Sequence, residues 1–555
     1  MPDSLKKWFP YFLIAGMVVN IIGLFTGILE PDSALYASIA KHIAVTNDWV
    51  NLFGSGHEWL DKPHLPFWLC ALSFKCFGIN AFAYKLPAFL CWLVGVYYTY
   101  KLAQAIYGDS TARLSVIIYI TAMHVVLSNL DVRAEAFLTA FIVAAIYHIY
   151  KAMSYKWLQH IFIGALYCAL AVMTKGIFVL VTIAAGFVMY WIVTKQYKQL
   201  LQPKWFLLIL LTCVFITPEL YCLYEQFDIH PEKIVFGQTN VSGLKFFFWD
   251  SQFGRFFNNG PIKGSGDIFF FTHTFLWAFI PWSLVTVIAV GSLLIKRGKL
   301  VNKEALIIGG SVLVTFIMFS VSKFQLPHYI VIIFPQFAII TAVYLLSIRS
   351  PKVLHRLNIV QFLLYLGSIF LILFITYKSD LSHWYIPLVL IILLTPMVVM
   401  VFKGNSLTSL VGKNICLSML VYLFYHLYFY PPLMQYQAGM IAGKWLNEHS
   451  ISNNVIMYKS GSESFEFYSH APVSRVSNMD SLPVNININK PIIVYAPIKE
   501  MEELKMKDNN LKIIHQFNYF HLTKLTWKFL KKETRQGETG KYVLAEYSAI
   551  HSSTP

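Results

Sequence analysis

Residues 9–28 form a predominantly apolar run of membrane-spanning length, and twelve comparable runs follow it. A transmembrane helix needs about 20 mostly apolar residues. The later runs lie at 82–104, 111–128, 134–152, 159–174, 176–194, 204–224, 268–295, 304–321, 327–347, 356–376, 383–402 and 411–430. No other class of chain repeats this pattern. Charged residues make up 13% of the 555 residues and hydrophobic residues 57%, whereas soluble domains carry about 25% charged residues. A disordered chain, a disulfide-stapled module and a fibrous repeat are excluded on the same ground. The first run is too long for a cleavable signal and has no small-x-small site before Glu30-Pro31-Asp32. The expected fold is therefore an all-α polytopic membrane protein with about 13 transmembrane helices.

The formal net charge is +16, from 44 Lys and Arg against 28 Asp and Glu. In a soluble protein that balance would raise nucleic acid as a partner. In a membrane protein it follows from basic cytoplasmic loops and scarce acids, so membrane lipid is the expected partner and nucleic acid is not. With a cytoplasmic N-terminus, the even-to-odd loops and the N-terminal pair hold eighteen Lys and Arg. The four short loops opposite hold one each: Arg133, Lys175, Lys323 and Lys378. This asymmetry places the long loops 29–81 and 225–267, and everything after about residue 431, outside the cytoplasm. The chain thus divides into a transmembrane unit, 1–430, and an extracytoplasmic tail, 431–555.

The tail has a different pattern. Segments 452–458, 491–496, 511–517 and 542–547 look like strands and 498–507 like a helix, so the tail reads as a small α/β domain. The first long loop contains Leu35, Ile39 and Ile43 at helical spacing after Asp32, a short amphipathic helix suited to the membrane surface. A second such element runs over 64–77, and Asp61-Lys62-Pro63 lies between the two.

Asp32 follows the first span directly. A carboxylate there can accept a proton from an acceptor hydroxyl, and it can also cap the helix it opens. Asp131, Arg133 and Glu135 occupy one outer turn, Lys175 another, and Lys323 with His328 and Tyr329 a third. Ionisable groups at membrane depth are functional candidates because their burial is costly. One cation per turn is what a snorkelling anchor would need. Several cations at one level suit an anion such as a lipid phosphate, and Arg255 adds another from the second long loop.

The order of these motifs resembles one family. Pro31-Asp32 with Tyr36-Ala37 and Ile39, Asp48-Trp49, Asp61-Lys62-Pro63 with Trp68, Met173-Thr174-Lys175-Gly176, Trp249 with Arg255-Phe256, and Ser320 with Lys323, Leu326-Pro327 and Tyr329 look like the aminoarabinose transferase and protein mannosyltransferase-like glycosyltransferases of the GT-C fold. The resemblance covers roughly residues 9–345. It implies a sugar donor on polyprenyl phosphate and a lipid A, glycan or protein acceptor at the outer face of a bacterial inner membrane. By motif match, Asp32 is the catalytic aspartate and Lys62 binds the donor phosphate. Lys175, Arg255, Lys323, His328 and Tyr329 fall on the lipid-phosphate site, and Asp131, Arg133 and Glu135 on an acceptor loop.

This chain also departs from the family pattern. Ser33 and Asp61 stand where members often have Glu, and Gln252 or Phe253 where some have His. That leaves Asp61 as the candidate ligand for a divalent metal. Two readings from other classes are a flippase of lipid-linked saccharides and a non-catalytic envelope assembly protein. Transporters tend to show related halves and broken midplane helices. No repeat is evident here, and the ionisable residues cluster on one side.

Overall fold

The computed structural model describes residues 1–547 apart from 155, 296–301, 382, 452–453, 480–481, 483–485, 488–489 and 508–509. All thirteen apolar runs fall on helix. Among the described residues, eight helices are long and apolar enough to cross a membrane, or nine if the bent pair Asp109–Ile120 and Met123–Asp131 is one span. The runs at 176–194, 268–295, 304–321 and 383–402 instead contain shorter apolar helices, such as Val179–Val193 and Ala305–Val321. Composition detects apolar runs, but it does not detect the breaks within them. The protein is a multi-pass membrane protein.

Helix Ala134–Ala152 is largely buried and packs against both Ala81–Tyr107 and Trp157–Lys175. Helices Pro203–Phe215 and Pro351–Ser379 are peripheral, with Phe206, Ile209, Leu210, Phe370 and Leu371 exposed. Apolar side chains on both buried and outward faces are what a helix in lipid requires.

One close crossing sets the geometry of the site. Val179–Val193 packs along Ala305–Val321, and a Cβ on Gly186 would lie 2.0 Å from the Ile307 carbonyl oxygen. Small residues allow this approach where lipid supplies no hydrophobic drive. Lys175 precedes the first of these helices and the 322–329 turn follows the second, so the crossing brings those two segments together.

The first loop forms helix Asp32–Thr46, as expected, but it does not lie with its apolar face in lipid. Ala34, Ala37, Ile39, Ala40 and Ile43 are fully buried. They pack on helix Leu65–Phe77 and on helix Glu463–Tyr468 of the tail.

The tail contains a five-stranded sheet: β1 Val455–Tyr458, β2 Val473–Val476, β3 Ile492–Pro497, β4 Leu511–Tyr519 and β5 Gly540–Tyr547. The order is β2-β1-β3-β5-β4. β1 pairs in parallel with β2 and β3, and β5 runs antiparallel to β3 and β4. Residues alternate between two covered faces. Ile456 and Val494 pack against helix Ile498–Lys507, and Val455 and Met457 against helix Ala438–Glu448. Residues 452–453 of the first expected strand lie outside the described residues. β2 was not expected, because Val473-Ser474-Arg475-Val476 is a half-buried edge with little apolar signal.

Gly186→Ala should destabilise the bundle. Alanine ordinarily gains about 1 kcal/mol over glycine inside a helix, but the backbone at Ile307 has no side chain to move aside. Overpacking of this kind costs about 1–3 kcal/mol, so the thermal unfolding midpoint in detergent should fall; an unchanged or higher midpoint would contradict the close crossing.

Candidate active site

Helix termini supply most of the charged groups. Glu135 lies in the first turn of Ala134–Ala152, and Lys175 is the last residue of Trp157–Lys175. Each charge complements the dipole of its own helix end. The two ends meet, and Lys175 Nζ pairs with Glu135 Oε1. The same ammonium lies 3.6 Å from the centroid of the Tyr329 ring. His328 Nε2 is 3.9 Å from Glu135 Oε2.

Asp32 is the first residue of its helix, and Pro31 is the residue before it. Pro31 cannot cap through its side chain, and the Asp32 side chain makes no capping hydrogen bond among the described residues. It pairs instead with Arg133 Nη1, and Arg133 Nε donates to Asp131 Oδ2 at 2.6 Å. Between those two residues Val132 has φ +47°, an unfavourable conformation for a β-branched side chain. Such strain persists only where the surroundings impose it, commonly at functional sites.

Asp61 accepts from Lys62 Nζ at 2.5 Å and pairs with Arg255. Burial alone would raise the Asp61 carboxyl, but the charges of Lys62 and Arg255 outweigh it and hold its pKa down to about 2. Arg255 is carried by a helical stretch whose Phe246–Gly254 part has wide π turns. Such turns often mark functional sites. Gln252 from that stretch presses on Gly176, where a Cβ would lie 2.2 Å from Gln252 Nε2 and φ is +100°. Only glycine suits that position, so Gly176 lets the second loop close over Lys175.

Two cavities meet here. The first holds about 610 Å³ of open space and is lined by Asp32, Tyr36, Arg133, Glu135 and His328, which make it the more polar of the two. The second holds about 820 Å³ and is lined by Phe178, Phe246, Phe247, Phe256, Met318 and Phe319. Both share Asp61, Lys62, Lys175, Arg255, Phe324 and Tyr329. The common wall therefore carries three cations against one carboxylate. Arg255 Nε is buried there and has no hydrogen-bond partner among the described residues.

The sequence model of the dolichyl-phosphate-mannose-protein mannosyltransferase family matches residues 61–221. An uncharacterised protein of Aquifex aeolicus is 26% identical over 398 residues, 70% of this chain and 74% of that protein. The undecaprenyl phosphate-alpha-4-amino-4-deoxy-L-arabinose arabinosyl transferase of Edwardsiella ictaluri is 24% identical over 356 residues, 62% of this chain and 61% of the relative. Its counterpart in Enterobacter sp. is 23% identical, and the match spans 55% of its length. ArnT from Cupriavidus metallidurans, crystallised with undecaprenyl phosphate, superposes with a TM-score of 0.74 over 99% of both chains, at 16% identity. The chain thus shares the fold of ArnT and is similar in sequence to GT-C glycosyltransferases.

The residues expected to form the GT-C site do not all converge. Asp32, Asp61, Lys62, Arg133, Glu135, Lys175, Arg255, His328 and Tyr329 line the polar cavity. Asp131 stands behind Arg133 rather than on the cavity wall. Lys323 is exposed and lines neither cavity, and its backbone N–H donates to the Phe256 carbonyl. The expectation of four outer cations at one site thus reduces to three. A metal at Asp61 does not fit either. Its carboxylate already holds two cations, and no cluster of three or more His, Cys, Asp or Glu side chains among the described residues could hold a metal ion.

Sequence reasoning assigned no role to Tyr36 or to the His64–Glu219 pair. His64 Nδ1 and its backbone N–H both contact the Glu219 carboxylate at 3.0 Å. That pair fastens the Lys62 loop to the helix before the second loop. A separation of 155 residues hides it from any local motif.

The Asp61 pairs predict a pH window. The folded pKa of about 2 lies below the ordinary 3.8, so the stabilisation is complete above about pH 4 and is lost as pH falls through 2. The midpoint difference between native protein and Asp61→Asn should be constant from pH 5 to 8 and shrink only below about pH 4. A difference that already fades between pH 7 and 5 would mean the pairs are not formed.

Proposed function

We propose that this protein transfers a sugar from a polyprenyl-phosphate donor to a lipid A, glycan or protein hydroxyl. The observation that carries the reading is the shared wall of the two cavities. The apolar cavity suits a prenyl chain and the polar cavity suits a sugar. Lys62, Lys175 and Arg255 stand where the phosphate between them would lie. Relatives named as undecaprenyl phosphate-aminoarabinose transferases support the donor class. Relatives named as transferases do not favour the flippase or assembly readings.

Exposure selects the base. The side chain of Asp32 is 46% exposed, against 17% for Asp61, 18% for Asp131 and 1% for Glu135. Asp32 is therefore the carboxylate an acceptor hydroxyl can reach. The acceptor oxygen bonds to the anomeric carbon as the bond from that carbon to the phosphate oxygen breaks. The acceptor proton passes to Asp32, and the electron pair of the broken bond stays on the phosphate. The three cations stabilise the charge that develops there. Tyr329 orients Lys175 through its ring.

Asp32→Asn should retain undecaprenyl phosphate binding and lose transfer by about 10²–10⁴-fold, the usual effect of removing a general base. Full transfer by that variant would remove Asp32 from the chemistry. Charge-assisted contacts are worth about 1.5–3 kcal/mol. Lys62→Ala, Lys175→Ala and Arg255→Ala should therefore each weaken undecaprenyl phosphate binding by roughly ten- to a hundredfold, and Lys323→Ala should not. Equal effects at all four positions would point to general surface charge.

The Lys and Arg asymmetry supports a position of the cavities, loops 29–81 and 225–267, and the 431–555 domain outside the cytoplasm of a bacterial inner membrane. A C-terminal reporter that is active only outside the cytoplasm should be on. A silent reporter on a stable fusion would reverse this orientation.

A further inference from the structure

We propose that the 462–469 segment of the C-terminal domain is a positioning clamp for Asp32. The inference rests on the reading of Asp32 as the base.

The chain entering Asp32 is held by side chains and one serine backbone amide, all from the far end of the sequence. Glu30 Oε1 accepts from Ser462 Oγ at 2.6 Å, from Ser464 Oγ at 2.6 Å and from the Ser464 backbone N–H at 2.7 Å. The Glu30 N–H donates to Gln437 Oε1 at 3.0 Å, and Gln437 Nε2 donates back to the Ile28 carbonyl at 2.8 Å. The Ile28 N–H donates to the Tyr468 hydroxyl at 2.9 Å. The residues just before Asp32 are thus fixed in backbone and side chain.

A second grip lies further along the same helix. Lys41 Nζ donates to the carbonyls of Glu466, Phe467 and Ser469 at 2.6, 3.2 and 2.6 Å. These are the free carbonyls at the end of helix Glu463–Tyr468, where a cation is favoured. Burial brings the Lys41 ammonium down to about 8, as expected for a cation that has exchanged water for carbonyls. Helix Ala438–Glu448 backs the clamp closely, since a Cβ on Gly439 would lie 2.0 Å from Ser462 Oγ.

A tie that only joined two domains would not need to grip the backbone two and four residues before the base and the ammonium nine residues after it. Misplacing a reacting group by about 1 Å costs roughly 10²-fold. The clamp is therefore expected to act on transfer and not on donor binding.

The test uses the full chain in lipid nanodiscs and in cells. Transfer is read as the envelope-glycan mass shift that depends on the native protein. Donor-site integrity is read as undecaprenyl phosphate affinity, and order as hydrogen exchange over 32–46. Glu30→Ala should lower transfer by roughly ten- to a hundredfold, leave undecaprenyl phosphate affinity within about twofold of native, and speed exchange over 32–46. Glu30→Gln keeps the Oε1 acceptor and should restore near-native values of all three. Native transfer, or native exchange over 32–46, in Glu30→Ala would overturn the clamp. So would an equal loss in Glu30→Gln, because a charge would then be acting and not an acceptor. Should Glu30→Ala fail to insert, Ser464→Ala and Lys41→Met are measured by the same three readouts, and the same outcomes support or overturn the clamp. Asp32→Asn separates the clamp from the base. If it transfers normally the base reading falls, and hydrogen exchange over 32–46 still decides whether the clamp orders that helix.

Discussion

Charge neutralisation at the ends of buried helices is the constraint from which the site follows. Leaving a buried charge without its partner costs about 3–5 kcal/mol. At this site the buried carboxylates are met by opposite charges, and three of the pairs join different elements. Glu135 meets Lys175 from the neighbouring helix, Asp61 meets Arg255 from the second loop, and Asp32 meets Arg133 from the turn before helix Ala134–Ala152. Each pair fixes two elements against each other. Together they bring the first loop, the second loop and three helix ends to one place.

The distribution of those charges gives the site its polarity. Along the polar cavity four cations face three carboxylates, with Asp131 behind Arg133 as a fourth. At the boundary with the aromatic cavity the ratio becomes three cations to one carboxylate. An anionic ligand is thus favoured at the boundary and not in the interior of the polar cavity. An apolar chain attached to that anion finds an aromatic channel on the other side. The Arg255 Nε donor, buried without a partner among the described residues, marks where one oxygen of such an anion would be accepted.

Much of this was legible in the sequence, to different degrees. Apolar length reports burial in lipid, so all thirteen runs proved helical. It does not report breaks, so four runs contain only helices shorter than a full span. Motif order named Asp32, Lys62, Lys175, Arg255 and Tyr329 as candidates, and the fold brings all five to one cavity, because each lies beside a turn that its own local sequence specifies. Lys323 has the same local signature and is nonetheless exposed. Its own link to the second loop is a backbone hydrogen bond to Phe256, a feature side-chain patterns do not encode. His64–Glu219 and the Glu30 clamp were not legible, since each joins segments separated by 155 or more residues. The expectation of a membrane-surface helix at 32–46 failed in part for the same reason. Its apolar face was visible, but that face is covered by the neighbouring helix Leu65–Phe77 and by a segment over 400 residues away.

For Asp32 to act as the proposed base it must be free to take a proton, and it rests in a pair with Arg133. The arrangement around Arg133 reconciles the two. Arg133 has a second carboxylate, Asp131, at 2.6 Å from its Nε and largely buried. When Asp32 turns toward an acceptor, Arg133 keeps a full opposite charge and is not stranded. The penalty for leaving a buried cation alone does not arise, and what is lost is closer to the 0–1 kcal/mol of a partly exposed pair, an order-of-magnitude figure of roughly that size. In the proposed reaction Arg133 therefore holds the Asp32 side chain at rest and can release it at small cost. The strained Val132 between Asp131 and Arg133 sets the turn on which both side chains are mounted. A single arginine with two acids of unequal exposure thus fits the proposed division, with the exposed Asp32 as base and the buried Asp131 as its structural partner.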